Sequence, residues 1–251
     1  MNIFFMKNND YLELSGLDLA MMEFPEEQFI IQDIVPKGLV ILSSEMAAPA
    51  RSLAMDMCLR VVTGEKLWKM DTRQGAVLYM IHQHTLATIR NLITDMTVRI
   101  PDGLYVGVME ESSLELALIG IKTFVQDHSN AAMVVIELNA PVEQYEDAVY
   151  VSGELERYFR ALKDEALKYG MAIVVILCSE YYPVSHSKTQ DEDKVCITEK
   201  ADGHIDMCVV DSADRKALLR VSNPPMAPQL WSIERTDQLQ RWVEESADEH
   251  S

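Results

Sequence analysis

Short apolar runs alternate with longer amphipathic stretches along most of this 251-residue chain. The run over 38–44 is bounded by Pro-Lys-Gly and is typical of a buried strand. Residues 50–63 then carry apolar side chains at helical spacing until Gly64, which indicates a helix end. The same pair of patterns continues down the chain. It predicts strands over 76–81, 104–108, 132–138 and 171–178, and helices over 85–96, 113–126 and 152–169.

After the alternating strands and helices, the sequence predicts a long loop and an antiparallel hairpin. Residues 179–203 are polar and aperiodic, which predicts a long loop. Two apolar runs over 204–210 and 217–221 flank a turn-like segment and predict a hairpin. A short helix is predicted near 237–245.

The whole pattern predicts an α/β fold with a mostly parallel sheet, helices on both of its faces and a C-terminal antiparallel hairpin. A hydrophobic content of 48% in 251 residues suits one sizeable core. We therefore divide the chain into an N-terminal arm packed on the core, an α/β domain and an acidic C-terminal tail. These three parts cover residues 1–37, 38–233 and 234–251.

The charge of the chain argues against nucleic-acid partners. Forty acidic residues against 22 basic ones give a formal net charge of −18, which repels polyanions unless cations are concentrated on one face. The sequence shows no such concentration. No stretch approaches the roughly 20 apolar residues of a membrane span, and the apolar start lacks a basic segment before it. We expect a cytoplasmic protein that binds neither nucleic acid nor membrane.

The segment from Gly38 to Gly64 and the following VLYMIHQHTLATIRNLI resemble the RecA-like ATPases of the plasmid-replication helicase group (RepA-type, AAA). The likeness includes the preceding FPEEQFIIQDIVPKGLVIL and extends from about Leu14 to Ile233. It rests on the order of elements and on local sequence. The resemblance implies a RecA-like P-loop NTPase fold, ATP with Mg²⁺ as ligand, assembly into a ring-shaped oligomer, and a role in the replication of DNA such as a mobile element.

The phosphate loop is where the chain departs most from that family. A P-loop needs glycines whose N–H groups cradle phosphates, a lysine, and a hydroxyl that binds Mg²⁺. The matching residues are Ser44-Glu45-Met46-Ala47-Ala48-Pro49-Ala50-Arg51. Ala50 stands at the lysine position and Arg51 at the hydroxyl position, Pro49 lacks an N–H, and Glu45 adds a negative charge. We therefore expect no ATP binding in the family manner and no cofactor.

Other catalytic positions are altered to different degrees. Gln83 and His84 stand where the family has an acidic pair that polarises the attacking water, and glutamine cannot accept a proton as a carboxylate does. Glu137 stands where the family has a metal-orienting aspartate, so a carboxylate is kept there. At the end of the strand over 171–178, where the family senses the γ-phosphate, no sensor is obvious.

The strand ends also collect possible metal ligands. His82, His84, Glu137 and Cys178 are residue types that bind Zn²⁺, and they follow or end strands whose carboxyl ends meet at one edge of the sheet. Their spacing matches no recognised ligand motif. Polar residues that fill an abandoned pocket are the simpler interpretation.

Three functions follow from these observations. The first is a catalytically inactive RecA-like homologue that acts as a binding or scaffold protein and pairs with itself or with another protein. The second is an altered but functional ATP-binding protein of the replicative-helicase family, and the third is a metal-dependent enzyme at the strand ends. The simultaneous loss of glycines, lysine and hydroxyl favours the first function.

Overall fold

The computed structural model describes residues 29–82, 86–109, 114–138, 143–145, 148–178, 194–211, 213, 215–237 and 239–245, together with Ser15 and Leu17. The described strands are β1 (Phe29–Ile31), β2 (Val35–Pro36), β3 (Gly38–Ser44), β4 (Ala76–His82), β5 (Leu104–Met109), β6 (Ala131–Glu137), β7 (Glu143–Tyr145), β8 (Ala148–Ser152), β9 (Ala172–Cys178), β10 (Lys194–Cys196), β11 (Gly203–Val209), β12 (Lys216–Ser222), β13 (Gln229–Arg235) and β14 (Trp242–Glu244). The long helices are α1 (Ala47–Thr63), α2 (Leu86–Met96), α3 (Leu114–Asp127) and α4 (Gly153–Tyr169).

A nine-stranded sheet forms the centre of the molecule, in the order β14-β13-β12-β11-β3-β9-β6-β4-β5. The six strands from β11 to β5 are parallel. β12, β13 and β14 extend the sheet as an antiparallel meander. The α/β class, the mostly parallel sheet and the hairpin formed by β11 and β12 are therefore confirmed. The carboxyl ends of β3, β4, β6 and β9 lie along one edge, where open parallel sheets bind ligands.

Each face of the sheet has its own apolar core, because side chains alternate between the faces of a strand. Val40 and Leu42 of β3 belong to the core that α1 and α2 cover. Leu39 and Ile41 belong to the core that α3 and α4 cover. The predicted helices on both faces are confirmed. Among the described helices, none combines the length and the apolar character that crossing a membrane requires.

Helix ends follow the predicted signals with one exception. Gly64 and Gly170 end α1 and α4 in the left-handed conformation, with φ of 75° and 63°. α4 begins after Ser152, whose side chain accepts a hydrogen bond from the Leu155 amide. α1, however, begins at Ala47 instead of residue 50. Alanines favour helix, and a proline in the first turn lacks an N–H that would have no helical partner in any case.

The C-terminal helix predicted near 237–245 is wrong. Residues 242–244 form β14, which pairs antiparallel with β13, and Trp242 is fully buried. A single apolar pair between polar residues has no period by which a short strand and a helical turn can be told apart. The sheet thus extends past residue 233, where we placed the end of the α/β domain.

Besides β14, six of the described strands were not predicted: β1, β2, β7, β8, β10 and β13. Within the predicted loop, Lys194–Cys196 forms β10, which pairs with β8 in a small three-stranded sheet with β7. In the predicted N-terminal arm, β1 and β2 form an antiparallel hairpin whose Ile30 and Val35 are buried in the main core. Residues 179–193, and residues 1–28 apart from Ser15 and Leu17, lie outside the described residues.

Candidate functional site

The connection between β3 and α1 is the position at which the resemblance places a phosphate loop. It consists of two residues, Glu45 and Met46, because α1 already begins at Ala47. A phosphate cradle needs several consecutive loop residues whose N–H groups turn toward one point. Residues 47–50 are helical and therefore do not form the extended loop that such a cradle uses.

Two side chains next to this connection, those of Ser44 and Ala50, are buried. Ser44 is 1% exposed, and its hydroxyl accepts a hydrogen bond of 3.2 Å from the Met46 amide, one of the loop donors. Ala50, at the lysine position, is fully buried in the core beneath α1. The described loop therefore offers no lysine and no glycine-lined opening.

A charged group of three side chains lies beside the start of α1. Arg51 Nε donates a hydrogen bond of 2.8 Å to Glu137 Oε2, and the Tyr79 hydroxyl donates one of 3.0 Å to Glu137 Oε1. The side chains of Arg51 and Glu137 are 16% and 7% exposed, and Tyr79 is fully buried. We call these three residues the Arg51 triad. Arg51 and Tyr79 thus bond both oxygens of Glu137, the carboxylate that the resemblance aligns with the metal-orienting aspartate.

The electrostatics of the triad keep its protons in place. Burial raises the pKa of Tyr79 well above its ordinary value, and the nearby Glu137 carboxylate raises it further. The phenol therefore stays protonated and remains a donor. Arginine is always charged in proteins, so the triad holds a permanent cation against a carboxylate.

The ion pair of the triad bears on whether Mg²⁺ and ATP can bind at this position. In the family pattern, the hydroxyl at position 51 and the carboxylate at position 137 would face one Mg²⁺. In this chain the guanidinium of Arg51 is bonded directly to that carboxylate. A divalent cation would have to displace it, and the site would then hold two cations beside one carboxylate. The residues present do not fit Mg²⁺-ATP in the family manner.

The remaining predicted site residues are only partly described. Cys178 ends β9 and is buried in the core beneath α1. His82 is the last residue of β4, but its side chain lies outside the described part, as do Gln83 and His84. Among the residues that the structure describes, no group of three or more His, Cys, Asp or Glu side chains could hold a metal ion.

A second polar group, which sequence reasoning missed, lies between β3 and β11. The Ser43 hydroxyl donates to Asp206 Oδ1 at 2.7 Å and lies 2.8 Å from His204 Nε2. Because the single hydroxyl proton of Ser43 goes to the carboxylate, His204 must donate through Nε2–H. Ser43 is also 1% exposed. The arrangement resembles a catalytic serine only in its residue types, since no base accepts the serine proton through the imidazole.

Burial lowers the pKa of His204 below its ordinary 6.5, and the charge of Asp206 opposes that shift only in part. In the unfolded chain this imidazole takes up a proton near pH 6.5, whereas the folded protein resists it. Stability is therefore expected to fall as the pH drops from about 6.5 toward the lower folded pKa, at no more than about 1.4 kcal/mol per pH unit. Denaturant unfolding of wild type and His204→Gln at pH 7.0 and 5.5 measures this. Wild type should lose more stability than the variant, and equal losses would contradict the assignment.

The C-terminal strand β14 is hydrogen-bonded to the middle of α1. The Trp242 amide donates to Asp56 Oδ2 at 3.1 Å, and its indole Nε1 donates to Ser52 Oγ at 3.1 Å. Asp56 is fully buried and also accepts a hydrogen bond of 3.2 Å from Arg60 Nε. Trp68 Nε1 donates to the Trp242 carbonyl at 3.1 Å. We call this set the Trp242 clamp.

Comparison with known proteins bears on the fold. No protein-family model and no curated protein sequence matches the chain. Among solved structures, a KaiC-like protein from the hyperthermophilic archaeon Pyrococcus horikoshii matches with a TM-score of 0.56, at 12% sequence identity, over 88% of this chain and 96% of that one. The chain has a RecA-like fold. At 12% identity the likeness shows the fold alone.

The RecA-like fold gives the two polar features that involve α1, the Arg51 triad and the Trp242 clamp, their context. The Arg51 triad lies near the edge of the sheet where such folds place their ligand: Glu137 ends β6 and Arg51 lies near the start of α1, while Tyr79 reaches Glu137 from the middle of β4. The Trp242 clamp lies along the same helix, farther from that edge. One helix thus carries both features.

Proposed function

We propose that this RecA-like chain is a non-catalytic relative of the plasmid-replication helicases and acts as a binding or scaffold protein. The observation that carries the proposal is the ion pair of 2.8 Å between Arg51 and Glu137. A permanent cation of the protein stands at the position where the family would bring a metal ion together with its nucleotide.

Charge balance supports the same proposal. Phosphoryl transfer depends on positive charge around the γ-phosphate, which lysine and Mg²⁺ normally supply. Ala50 offers no charge, and the charge of Arg51 is already neutralised by Glu137. The exposed Glu45 adds negative charge to a chain with a net charge of −18. Each of these features lowers the affinity of the site for a triphosphate.

The partner that fits this proposal is a protein, either another copy of this chain or a different one. A protein that keeps this fold but not the nucleotide site can still act through its surface, by contacting another protein. The net charge of −18 disfavours nucleic acid, because counterion release needs cationic contacts.

Calorimetric titration with ATP in excess Mg²⁺ tests the proposal. We expect no saturable heat at nucleotide concentrations up to about 1 mM, which corresponds to a binding free energy weaker than about −4 kcal/mol. Phosphate release measured in parallel should equal the buffer blank. A dissociation constant in the micromolar range would contradict the proposal and favour the alternative of an altered but functional ATP-binding protein.

A matched variant separates side chains from backbone. Arg51→Thr restores the hydroxyl of the family pattern and frees Glu137 from its ion pair, without placing a charge in the core that holds Ala50. We expect this variant to remain folded by circular dichroism and unable to bind ATP tightly, because the cradle of loop N–H groups is still missing. Elemental analysis of the purified wild-type protein, carried out alongside, addresses the metal-enzyme alternative, which stoichiometric zinc would favour.

A further inference from the structure

The free edge of the main sheet is formed by an unusually apolar strand. β5, with the sequence LYVGVM, contains no charged residue and pairs with β4 alone among the described strands. Edge strands of soluble monomers are normally protected by charges, prolines or bulges, because their unpaired backbone groups invite another strand. The opposite edge of the sheet shows such protection, since Glu244 of β14 forms an ion pair with Lys69.

The backbone of β5 presents a regular set of hydrogen-bonding groups to its open side. The Val77 amide of β4 donates to the Gly103 carbonyl, so Gly103 and every second residue after it face β4. The alternate residues Leu104, Val106 and Val108 direct their N–H and C=O groups away from the sheet. Within the described part of the chain, no strand pairs with this side of β5.

These outward groups form a self-complementary pattern. If β5 of a second copy is placed antiparallel with a two-fold axis at Val106, each Val106 opposes the other and Leu104 opposes Val108. Every outward N–H and C=O of the three residues then has a partner across the axis. A two-fold interface requires this kind of match, in which one patch is complementary to itself.

Exposed apolar side chains of β5 project from both faces of the sheet at the open edge. They are Tyr105, Val106 and Val108, with exposed fractions of 39%, 37% and 45%. Pairing with a second copy would remove part of this apolar surface from water, which favours association.

We propose that two copies of this chain associate through β5, antiparallel across a two-fold axis at Val106, so that their two sheets become one. α2 would then meet its counterpart on one face of the joined sheet, and α3 would meet its counterpart on the other. The inference rests on the proposed scaffold function and names the partner as a second copy. The two can be tested separately, because a monomer that does not bind ATP would disprove the dimer alone.

Charge gives the association a characteristic salt dependence. Each copy has a net charge of −18, and the β5 edge contributes no attractive ion pairs from its own strand. Repulsion between the copies is screened by salt, while burial of apolar surface is not weakened by it. The dimer is therefore expected to become tighter as salt rises from about 50 mM to about 500 mM, where the Debye length shrinks severalfold. An association that rests on ion pairs would weaken instead.

Sedimentation equilibrium of the full chain tests the dimer. Wild type should sediment as a species of twice the chain mass, and Val106→Lys should raise its dissociation constant at least tenfold, because two like charges then face each other at the axis. Leu230→Lys is the matched control, since it adds the same charge at an exposed position of β13, near the other edge. It should leave the dimer unchanged. Circular dichroism melting shows whether the variants fold.

Disulfide trapping tests the register without depending on affinity. Directly opposed residues of an antiparallel pair have Cα atoms about 4.5–5.5 Å apart, which a disulfide can bridge. In a background with Cys196→Ser and Cys208→Ser, Val106→Cys should give a covalent dimer under a mild copper oxidant in air. Val108→Cys alone should not, because its opposite residue is Leu104.

The inference is overturned by a monomer at about 100 µM protein in both low and high salt, by a dimer that Val106→Lys leaves intact, or by equal trapping at Val106 and Val108. An assembly that survives Val106→Lys but is lost when residues 1–28 are removed would also overturn it, and would assign the contact to the N-terminal segment.

Discussion

Replacing Trp242 by alanine is expected to lower the free energy of unfolding by about 3–5 kcal/mol, the range for a large aromatic side chain removed from a packed core. Trp242 is fully buried between α1 and the sheet, and the cavity that alanine leaves is closed in by the helix. The buried Ser52 hydroxyl also loses the hydrogen bond that it accepts from the indole. Denaturant unfolding followed by far-ultraviolet circular dichroism measures the change.

Two further variants separate the parts of this effect. Ser52→Ala removes only the hydrogen-bond acceptor and should cost about 1 kcal/mol. Leu230→Ala changes an exposed residue in the neighbouring strand β13 and should lie within about 0.5 kcal/mol of wild type. If Trp242→Ala were as mild as Leu230→Ala, the C-terminal strand would not be an integral part of the fold.

Replacing Glu137 by alanine is the second large change, with an expected cost of about 3 kcal/mol. The substitution removes the carboxylate that bonds both the mostly buried Arg51 guanidinium and the Tyr79 hydroxyl, and removing one side of a buried ion pair is costly. The value lies at the low end of the range for buried pairs because Arg51 retains some exposure. Denaturant unfolding again gives the number.

This experiment distinguishes a structural carboxylate from a catalytic one. Catalytic residues are often kept at a cost to stability, so their replacement tends to be neutral or stabilising. A loss of about 3 kcal/mol is the structural outcome. The double variant Arg51→Met with Glu137→Leu removes both charges together and should recover most of that loss. A stabilised Glu137→Ala protein would contradict the structural role and point back to a working site.

The parts of the fold that could be predicted from sequence are those with local periodic signals. β3, β6 and β9 are continuous apolar runs, and Gly64 and Gly170 end helices by a conformation that glycine adopts readily. β14 has three residues and therefore no period. β7, β8 and β10 form a separate small sheet. These short strands could not be recognised from sequence, because they are defined by their pairing with one another.

The sequence shows which residues of the family's phosphate loop are missing, but it does not show which contacts stand in their place. The missing glycines and lysine of residues 44–51 are visible in sequence, and the structure adds the two-residue connection. The contact of Arg51 with Glu137 joins residues 86 positions apart, and that of Ser43 with Asp206 joins residues 163 apart. Neither pair has a spacing rule, because each depends on which strands become neighbours in the sheet.

The built-in cation of the Arg51 triad also changes what the protein can sense. A ligand that binds only the folded state, such as a nucleotide with its metal, adds stability that varies with the concentration of the ligand. The guanidinium of Arg51 is present in every copy at all times and cannot be hydrolysed, exchanged or depleted. On the proposed function, the stability of this protein is therefore expected to stay the same when ATP and Mg²⁺ are added or removed.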